Sequence, residues 1–217
     1  MMFTRIDRET WPRKEYFAHY FTQVPCTYSA TFQLDITGLR ESGRPLYPTL
    51  LHAISTAVNR HQEFRMACKG DGEVGYYDVV HPCYTIFHKD TETFSNLWTE
   101  YNPDREAFCA AYQRDLAAWG DRPGLVARPD PPENTFPVSM VPWASFEAFP
   151  LNLQKGYDYL PPIFTMGRFH EEGGKVLLPL AVQVHHAVCD GFHLCRLVNE
   201  VQALLRGGGG KPSELHG

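Results

Sequence analysis

Apolar residues recur along most of the chain with the spacing of strands or of helices. Residues 27–37 alternate between apolar and polar side chains, which predicts a half-buried strand. Residues 48–58 and 104–119 place apolar side chains three and four positions apart, and so does the segment after Asp190. This spacing predicts three amphipathic helices.

The other segments predict a sheet covered by helices. Residues 163–170 and 175–185 have strand character and are joined by Glu-Glu-Gly-Gly, a connection typical of a hairpin. Residues 11–22 and 93–100 are expected to be helical, and the proline-rich residues 121–137 favour an irregular surface crossing. The mixture predicts an α/β (α+β) two-layer sandwich with a mixed, mostly antiparallel sheet.

Length and charge narrow the classes of protein to consider. The 217 residues suit one domain, expected over residues 1–206 and followed by a flexible glycine-rich tail over 207–217. A net charge of −5 argues against nucleic acid or an anionic membrane as a partner. The longest apolar run, residues 176–184, is too short to span a bilayer, and the first residues lack the apolar region of a signal peptide. We therefore expect a cytoplasmic protein.

Two adjacent histidines carry the clearest chemical signal. His185 and His186 end a predicted strand, and Asp190 begins a predicted helix. Histidine titrates near neutral pH, so it can accept a proton under cellular conditions. Neighbouring strand residues point to opposite faces, so we expect one ring to be structural and the other functional unless the strand breaks there. These residues alone leave open that both are core histidines and that Asp190 is only a helix cap.

The cysteines near this segment do not indicate a metal. Cys189, His193 and Cys195 match no zinc-binding spacing, so we expect no metal site. The six cysteines contain no C-x-x-C pair, and we expect reduced thiols. An aromatic content of 13% fits either a bulky core or a pocket for a flat ligand.

The run from His185 to Gly191 matches the HHxxxDG signature of coenzyme A-dependent acyltransferases, and its surroundings resemble the chloramphenicol acetyltransferase family. Other segments agree with that family in the same order and extend the resemblance to Leu205: Trp11-Pro-Arg13, Pro25-Cys26-Thr-Tyr28, Thr-Glu-Thr-Phe94, Ser139-Met-Val-Pro-Trp143 and Pro162-Ile-Phe-Thr165. The resemblance implies that acetyl-CoA is the co-substrate and that the primary hydroxyl of chloramphenicol is acetylated, which inactivates the antibiotic. It also implies direct transfer in a ternary complex.

The resemblance assigns roles to individual residues. It implies that His186 is the general base, that Ser139 stabilises the developing oxyanion and that Thr165 holds a water molecule. It further implies that an ion pair of Asp190 with Arg13 shapes the active-site loop. The remaining assignments are structural support by His185, the coenzyme A side formed by Trp143 and Arg168, and an antibiotic pocket lined by Tyr20, Cys26, Tyr28, Phe94, Phe149, Leu151 and Ile163.

The resemblance also implies a homotrimer with its active sites in the clefts between subunits. The catalytic histidine is then contributed by one subunit and much of the antibiotic pocket by its neighbour. Two departures affect substrate range: Arg168 stands where a lysine is usual, and Pro137 stands near Ser139 where the family can carry asparagine. The alternatives are an HHxxxDG acyltransferase with another hydroxyl or thiol acceptor, and a protein that binds a flat ligand without reaction.

Overall fold

The computed structural model describes residues 1–70, 72–151 and 158–207, which form ten strands and five α-helices. The strands are β1 (Phe3–Arg5), β2 (Thr27–Asp35), β3 (Met66–Cys68), β4 (Val74–Tyr77), β5 (His81–His88), β6 (Thr93–Trp98), β7 (Thr135–Val141), β8 (Ile163–Gly167), β9 (His170–Glu172) and β10 (Lys175–His185). The helices are α1 (Lys14–Ala18), α2 (Thr37–Glu41), α3 (Leu46–Arg60), α4 (Arg105–Trp119) and α5 (Gly191–Leu205). A π-helical turn, His19–Gln23, follows α1, and a 3₁₀ turn, Gln62–Phe64, follows α3.

The large sheet has the strand order β2-β10-β8-β7-β5-β6, with β9 also paired to β10. Strand β10 is antiparallel to β2, β8 and β9, and β5 is antiparallel to β6. The pairs β5–β7 and β7–β8 are parallel. Strands β1, β4 and β3 form a separate antiparallel sheet. The predicted mixed, mostly antiparallel sheet is confirmed.

Helices α3 and α5 form the covering layer and pack against each other, while α5 also contacts β2 and α3 contacts β5. Their inner faces are fully buried at Leu50 and Ile54 of α3 and at Leu197 and Val201 of α5. Removing a side chain of this size from water contributes about 1.5–3 kcal/mol to folding. Both segments are helical as their periodicity predicted, and their apolar faces form part of the core of the two-layer sandwich.

One predicted helix is wrong, and a second is only partly formed. Residues 93–100 contain strand β6, in which Ser95 and Leu97 are fully buried and Phe94 is half exposed. Ser95 can occupy an inward position because its hydroxyl hydrogen-bonds to the carbonyls of Arg122 and Gly124. A polar residue therefore stands where the alternating pattern of a strand would have an apolar one, and the sequence does not show that pattern. The helix expected over 11–22 begins only at Lys14 and continues as the π-helical turn.

The described residues also bear on the expectations for the tail, for membrane-spanning helices, for metal sites and for the cysteines. Of the predicted tail, only Gly207 lies within the described residues. Within residues 1–70, 72–151 and 158–207, no helix has both the length and the apolar character to cross a bilayer. The same residues contain no cluster of three or more histidine, cysteine, aspartate or glutamate side chains suited to a metal ion. The six cysteines all lie within the described residues and form no disulfide with one another.

The predicted N-cap of α4 is confirmed, because Asp104 accepts a hydrogen bond of 2.7 Å from the backbone N–H of Ala107. We expect Asp104→Ala to lower the free energy of unfolding by about 1 kcal/mol, since it leaves a helical N–H without its partner. Asp104→Asn keeps a capping oxygen and serves as the matched control. Urea denaturation followed by circular dichroism measures the difference, and equal losses in both variants would contradict the capping role.

Candidate active site

The chain breaks its strand between the two histidines. Strand β10 ends at His185, whose carbonyl accepts hydrogen bonds from the N–H groups of Val188 and Cys189 at 3.1 and 3.0 Å. The N–H of His186 instead donates to the carbonyl of Cys26 at 2.9 Å. The side chain of His186 is 29% exposed, whereas His185 is 1% exposed as a residue. The turn thus separates a buried ring from an accessible one.

The buried ring of His185 supports the turn from inside. Its Nδ1 accepts a hydrogen bond from the N–H of Ala187 at 3.1 Å, and Phe21 packs beside the ring at a centroid distance of 5.7 Å. This arrangement fits the structural role that the resemblance implies for His185.

Aromatic rings hold His186 from two sides. Tyr20, in the π-helical turn, stacks on the imidazole at a centroid distance of 3.9 Å and an interplanar angle of 11°. Tyr28, in β2, meets it edge to face at 5.3 Å. Nδ1 of His186 is buried and lies 3.2 Å from Oδ1 of Asp190 without forming an aligned hydrogen bond. Since Nδ1 is buried, the exposed edge of the ring is the one that carries Nε2.

Arg13 connects the start of the chain to the histidine turn. Its guanidinium donates to both carboxylate oxygens of Asp190, at 2.7 and 2.6 Å, in the bidentate geometry typical of strong arginine–carboxylate pairs. The same group donates to the carbonyls of His186 and Ala187 at 2.9 and 2.8 Å. The predicted Arg13–Asp190 ion pair is present, and it also holds the backbone of the turn.

The charges of this network are stable near neutral pH. Hydrogen bonds from Arg13 lower the pKa of Asp190 below its ordinary value, although partial burial opposes that shift. Burial would lower the pKa of Arg13, but the hydrogen bonds and charge of Asp190 raise it. Burial raises the pKa of Tyr28, whose hydroxyl donates to the carbonyl of Cys189 at 3.2 Å. The accessible imidazole is therefore surrounded by an ion pair and a neutral phenol.

A second group of predicted residues lines a pocket of about 700 Å³ on another part of the sheet. Ser139 of β7 and Thr165 of β8 are paired in register and both contribute to this pocket. Most of the lining is apolar, and its size lies within the range of small-molecule sites. The other predicted residues in the lining are Phe94, Trp143, Phe149 and Leu151.

Within one chain, the two groups lie far apart. Ser139, Thr165 and Ala181 form one row across β7, β8 and β10, and His186 is five positions beyond Ala181. Two strand spacings and five residue steps correspond to roughly 20 Å between the Cα atoms of Ser139 and His186. A single described chain therefore does not bring the serine and the histidine to one reacting atom.

The other predicted residues lie beside one of the two groups or between them. Cys26 belongs to the histidine group through its carbonyl, which binds the N–H of His186. Ile163 of β8 pairs with Gln183 of β10, between the two groups. Arg168 is exposed, and its N–H donates to the carbonyl of Ala144, next to Trp143.

Comparison with known proteins agrees with the family that the motif indicates. A model of the chloramphenicol acetyltransferase family matches residues 1–202. A protein named chloramphenicol acetyltransferase from Campylobacter coli is 60% identical over 205 residues, which cover 94% of this chain and 99% of that protein. The chain belongs to the chloramphenicol acetyltransferase family. It is therefore an enzyme of the transferase class.

Other relatives support the family and the fold. A chloramphenicol acetyltransferase from Vibrio anguillarum is 58% identical over 206 residues, 95% of each chain. A solved chloramphenicol acetyltransferase superposes with a TM-score of 0.82 at 24% identity, covering 94% of this chain and all of the other. A dihydrolipoamide acetyltransferase of Azotobacter vinelandii shares the fold at a TM-score of 0.61 and 14% identity, over 88% of this chain and 86% of the other.

Two residues of the site escaped sequence reasoning. Tyr47 of α3 lines the pocket, and its hydroxyl is buried without a hydrogen-bond partner in the described part of the chain. Gln183 accepts hydrogen bonds from the N–H of Leu151 at 2.9 Å and the hydroxyl of Ser29 at 3.1 Å, so it fastens the pocket-lining Leu151 to the sheet. Gln183 could have been found from the sequence, because it is a polar residue inside the apolar run of β10. Tyr47 could not, because a tyrosine is ordinary in an amphipathic helix.

The Arg13 network allows a direct test. We expect Arg13→Gln to lower the free energy of unfolding at pH 7 by about 2 kcal/mol, because a carboxylate and two carbonyls lose a charged donor. Because the pKa of Asp190 is lowered in the folded protein, its ion pair with Arg13 contributes its full stabilisation of the fold above the ordinary aspartate pKa. That contribution disappears as the pH falls through the lowered pKa. The difference between wild type and variant should therefore narrow toward pH 3. Urea titrations at several pH values measure it, with the exposed Arg114→Gln as control; a constant difference would contradict the assignment.

Proposed function

We propose that this enzyme transfers the acetyl group of acetyl-CoA to the primary hydroxyl of chloramphenicol, with His186 as the general base. The observation that carries the proposal is the accessible His186 ring, fixed by Tyr20 and by the Arg13–Asp190 pair. It occurs in a chain 60% identical to a chloramphenicol acetyltransferase. Inactivation of the antibiotic follows from blocking that hydroxyl.

His186 moves the proton in this scheme. The Asp190 carboxylate beside Nδ1 favours the tautomer that carries its proton there, which leaves the lone pair on the exposed Nε2. Nε2 takes the proton of the hydroxyl while the hydroxyl oxygen bonds to the thioester carbon. When the C–S bond breaks, the imidazolium returns the proton to the sulfur, so acetylated chloramphenicol and free coenzyme A leave. This sequence is direct transfer in a ternary complex.

Ser139 stabilises the oxyanion that forms on the thioester carbonyl. Its hydroxyl lies beside Thr165 in the 700 Å³ pocket, where mostly apolar walls strengthen a hydrogen bond to a developing charge. In this proposal Thr165, which is 3% exposed, holds a water molecule against the same intermediate. The roles of both residues rest on their position in the pocket and on the family motif.

A complete active site in this proposal needs two subunits. The separation of roughly 20 Å between Ser139 and His186 spans hydrogen-bonded strands, so no side-chain rotation closes it. A homotrimer brings the two residues into one active site if each His186 faces the Ser139 pocket of the neighbouring subunit. The exposed rings of Phe94 and Trp143 at that pocket are consistent with an apolar surface that a neighbour or a substrate covers.

The pocket supplies the binding surface for the antibiotic and the coenzyme. Phe94, Phe149 and Leu151 form apolar walls for the flat ring of chloramphenicol, to which the neighbour adds Tyr20, Cys26, Tyr28 and Ile163 in our proposal. Trp143, edge to face with Phe87 at 4.7 Å, marks the coenzyme side together with Arg168.

The reaction is tested by the release of coenzyme A thiol from acetyl-CoA with and without chloramphenicol. We expect antibiotic-dependent release by the wild type and a loss on the order of a thousandfold in His186→Ala, because the general base is removed. Chloramphenicol binding, measured by calorimetry, should survive in this variant, and His170→Ala should retain turnover. Release with dihydrolipoamide alone would instead support a thiol acceptor, and tight binding without release would support a binding protein.

The shared site predicts complementation between two defective chains. Ser139→Ala should lower kcat on the order of a hundredfold with little change in KM. Co-expressed Ser139→Ala and His186→Ala chains should recover about a quarter of wild-type activity, since random mixing in a symmetric trimer gives that fraction of sites both intact groups. Separately purified variants mixed without dissociation are the control. Recovery no greater than in that control would place both groups in one chain.

A further inference from the structure

A third histidine, which the family motif does not include, touches the other side of Asp190. His193 lies in the first turn of α5, and its Nδ1 accepts a hydrogen bond of 3.0 Å from the backbone N–H of Asp190. The same Nδ1 lies 3.8 Å from Oδ2 of Asp190. Asp190 is the N-cap of α5, so its N–H has no backbone partner within the helix.

This contact fixes the residue on which the position of His186 depends. The Asp190 carboxylate binds Arg13 and lies beside Nδ1 of His186, while Arg13 binds the carbonyl of His186. A shift of the Asp190 backbone would therefore move both the ion pair and the catalytic imidazole. His193 is the side chain that ties that backbone to the rigid first turn of α5.

We propose that His193, in its neutral form with an unprotonated Nδ1, is a positioning residue that sets the orientation of His186 through Asp190. This inference deepens the proposed function and rests on His186 being the general base. Protonation of Nδ1 would replace an acceptor by a donor that faces the Asp190 N–H, so the contact would be lost. The enzyme would then need two neutral histidines for full activity.

The surroundings of His193 favour its neutral form. Burial is the main cause that lowers the pKa of His193, and the charges of Arg13 and Arg196 act in the same direction. Glu63, in the 3₁₀ turn, and Asp190 oppose that shift. Each of these two carboxylates is already paired with an arginine, Glu63 with Arg196 and Asp190 with Arg13, which weakens the field that would protonate the imidazole.

His193 also borders a cleft of about 210 Å³ with Trp11, Arg13, Glu63 and Val188. This cleft gives solvent a path to the imidazole, so a change of pH in the medium reaches it. Because the lowered pKa lies below the ordinary histidine value of about 6.5, the contact is complete above that value and disappears as the pH falls through the lowered one.

The test compares His193→Asn, which keeps an acceptor oxygen near the position of Nδ1 but does not titrate, with His193→Leu, which removes the acceptor. At pH 8 we expect the Asn variant to stay within about twofold of the wild-type kcat, and the Leu variant to lose about tenfold with KM nearly unchanged. On the acid side, log kcat/KM of the wild type should fall more steeply than one proton allows. The Asn variant should fall with a slope of one, and the partly exposed His170→Asn control should match the wild type.

A direct measurement separates this inference from the proposed function. Nitrogen NMR of the ¹⁵N-histidine-labelled wild type, assigned by the signal missing in His193→Asn, should show an unprotonated Nδ1 at pH 8. A protonated Nδ1, or equal acid slopes in wild type and Asn variant, would overturn the role of His193. If the wild type shows no chloramphenicol turnover, the proposed function fails, and a protonated Nδ1 still disproves the His193 contact.

Discussion

The geometry of the site depends on one ion pair between distant parts of the chain. Arg13 precedes the first helix and Asp190 begins the last, 177 positions later. Four hydrogen bonds from one guanidinium join the carboxylate and the carbonyls of His186 and Ala187. Because a partly buried carboxylate without its partner is costly, the N-terminal segment and the histidine turn must assemble together. The stacked Tyr20, which follows Arg13 in the chain, is brought to the imidazole by the same assembly.

The large sheet imposes the second constraint. The register of paired strands is set by their backbone hydrogen bonds and by which face is buried. The distance between two residues on the sheet is therefore fixed by the fold. Ser139 and Thr165 are neighbours because β7 and β8 pair in parallel there, and His186 is distant because it lies beyond the end of β10. Our proposal therefore requires that subunits assemble to bring Ser139 and His186 together. In that proposal, activity depends on the oligomeric state.

Sequence reasoning succeeded where local pattern and tertiary environment agree. The amphipathic α3 and α5 and the alternating β2 are where periodicity placed them, and the cap of α4 is at Asp104, where the residue type predicted it. It failed at β6, because the inward Ser95 is stabilised by carbonyls of the proline-rich crossing, which no window around residue 95 contains. It also missed the π-helical turn that presents Tyr20, since a single five-residue turn is too short to show a period of its own in the sequence.

By itself, the sequence determined the family through its ordered motifs, and the opposite facing of neighbouring strand residues predicted that one of the two adjacent histidines is structural and the other functional. Only the tertiary structure decided which ring is exposed, because that depends on the Cys26 carbonyl, on Arg13 and on two tyrosines from other elements. It also decided that Asp190 is held from both sides, by Arg13 and by His193. Contacts between residues far apart in the chain are set by packing and charge in three dimensions, which a linear pattern does not encode.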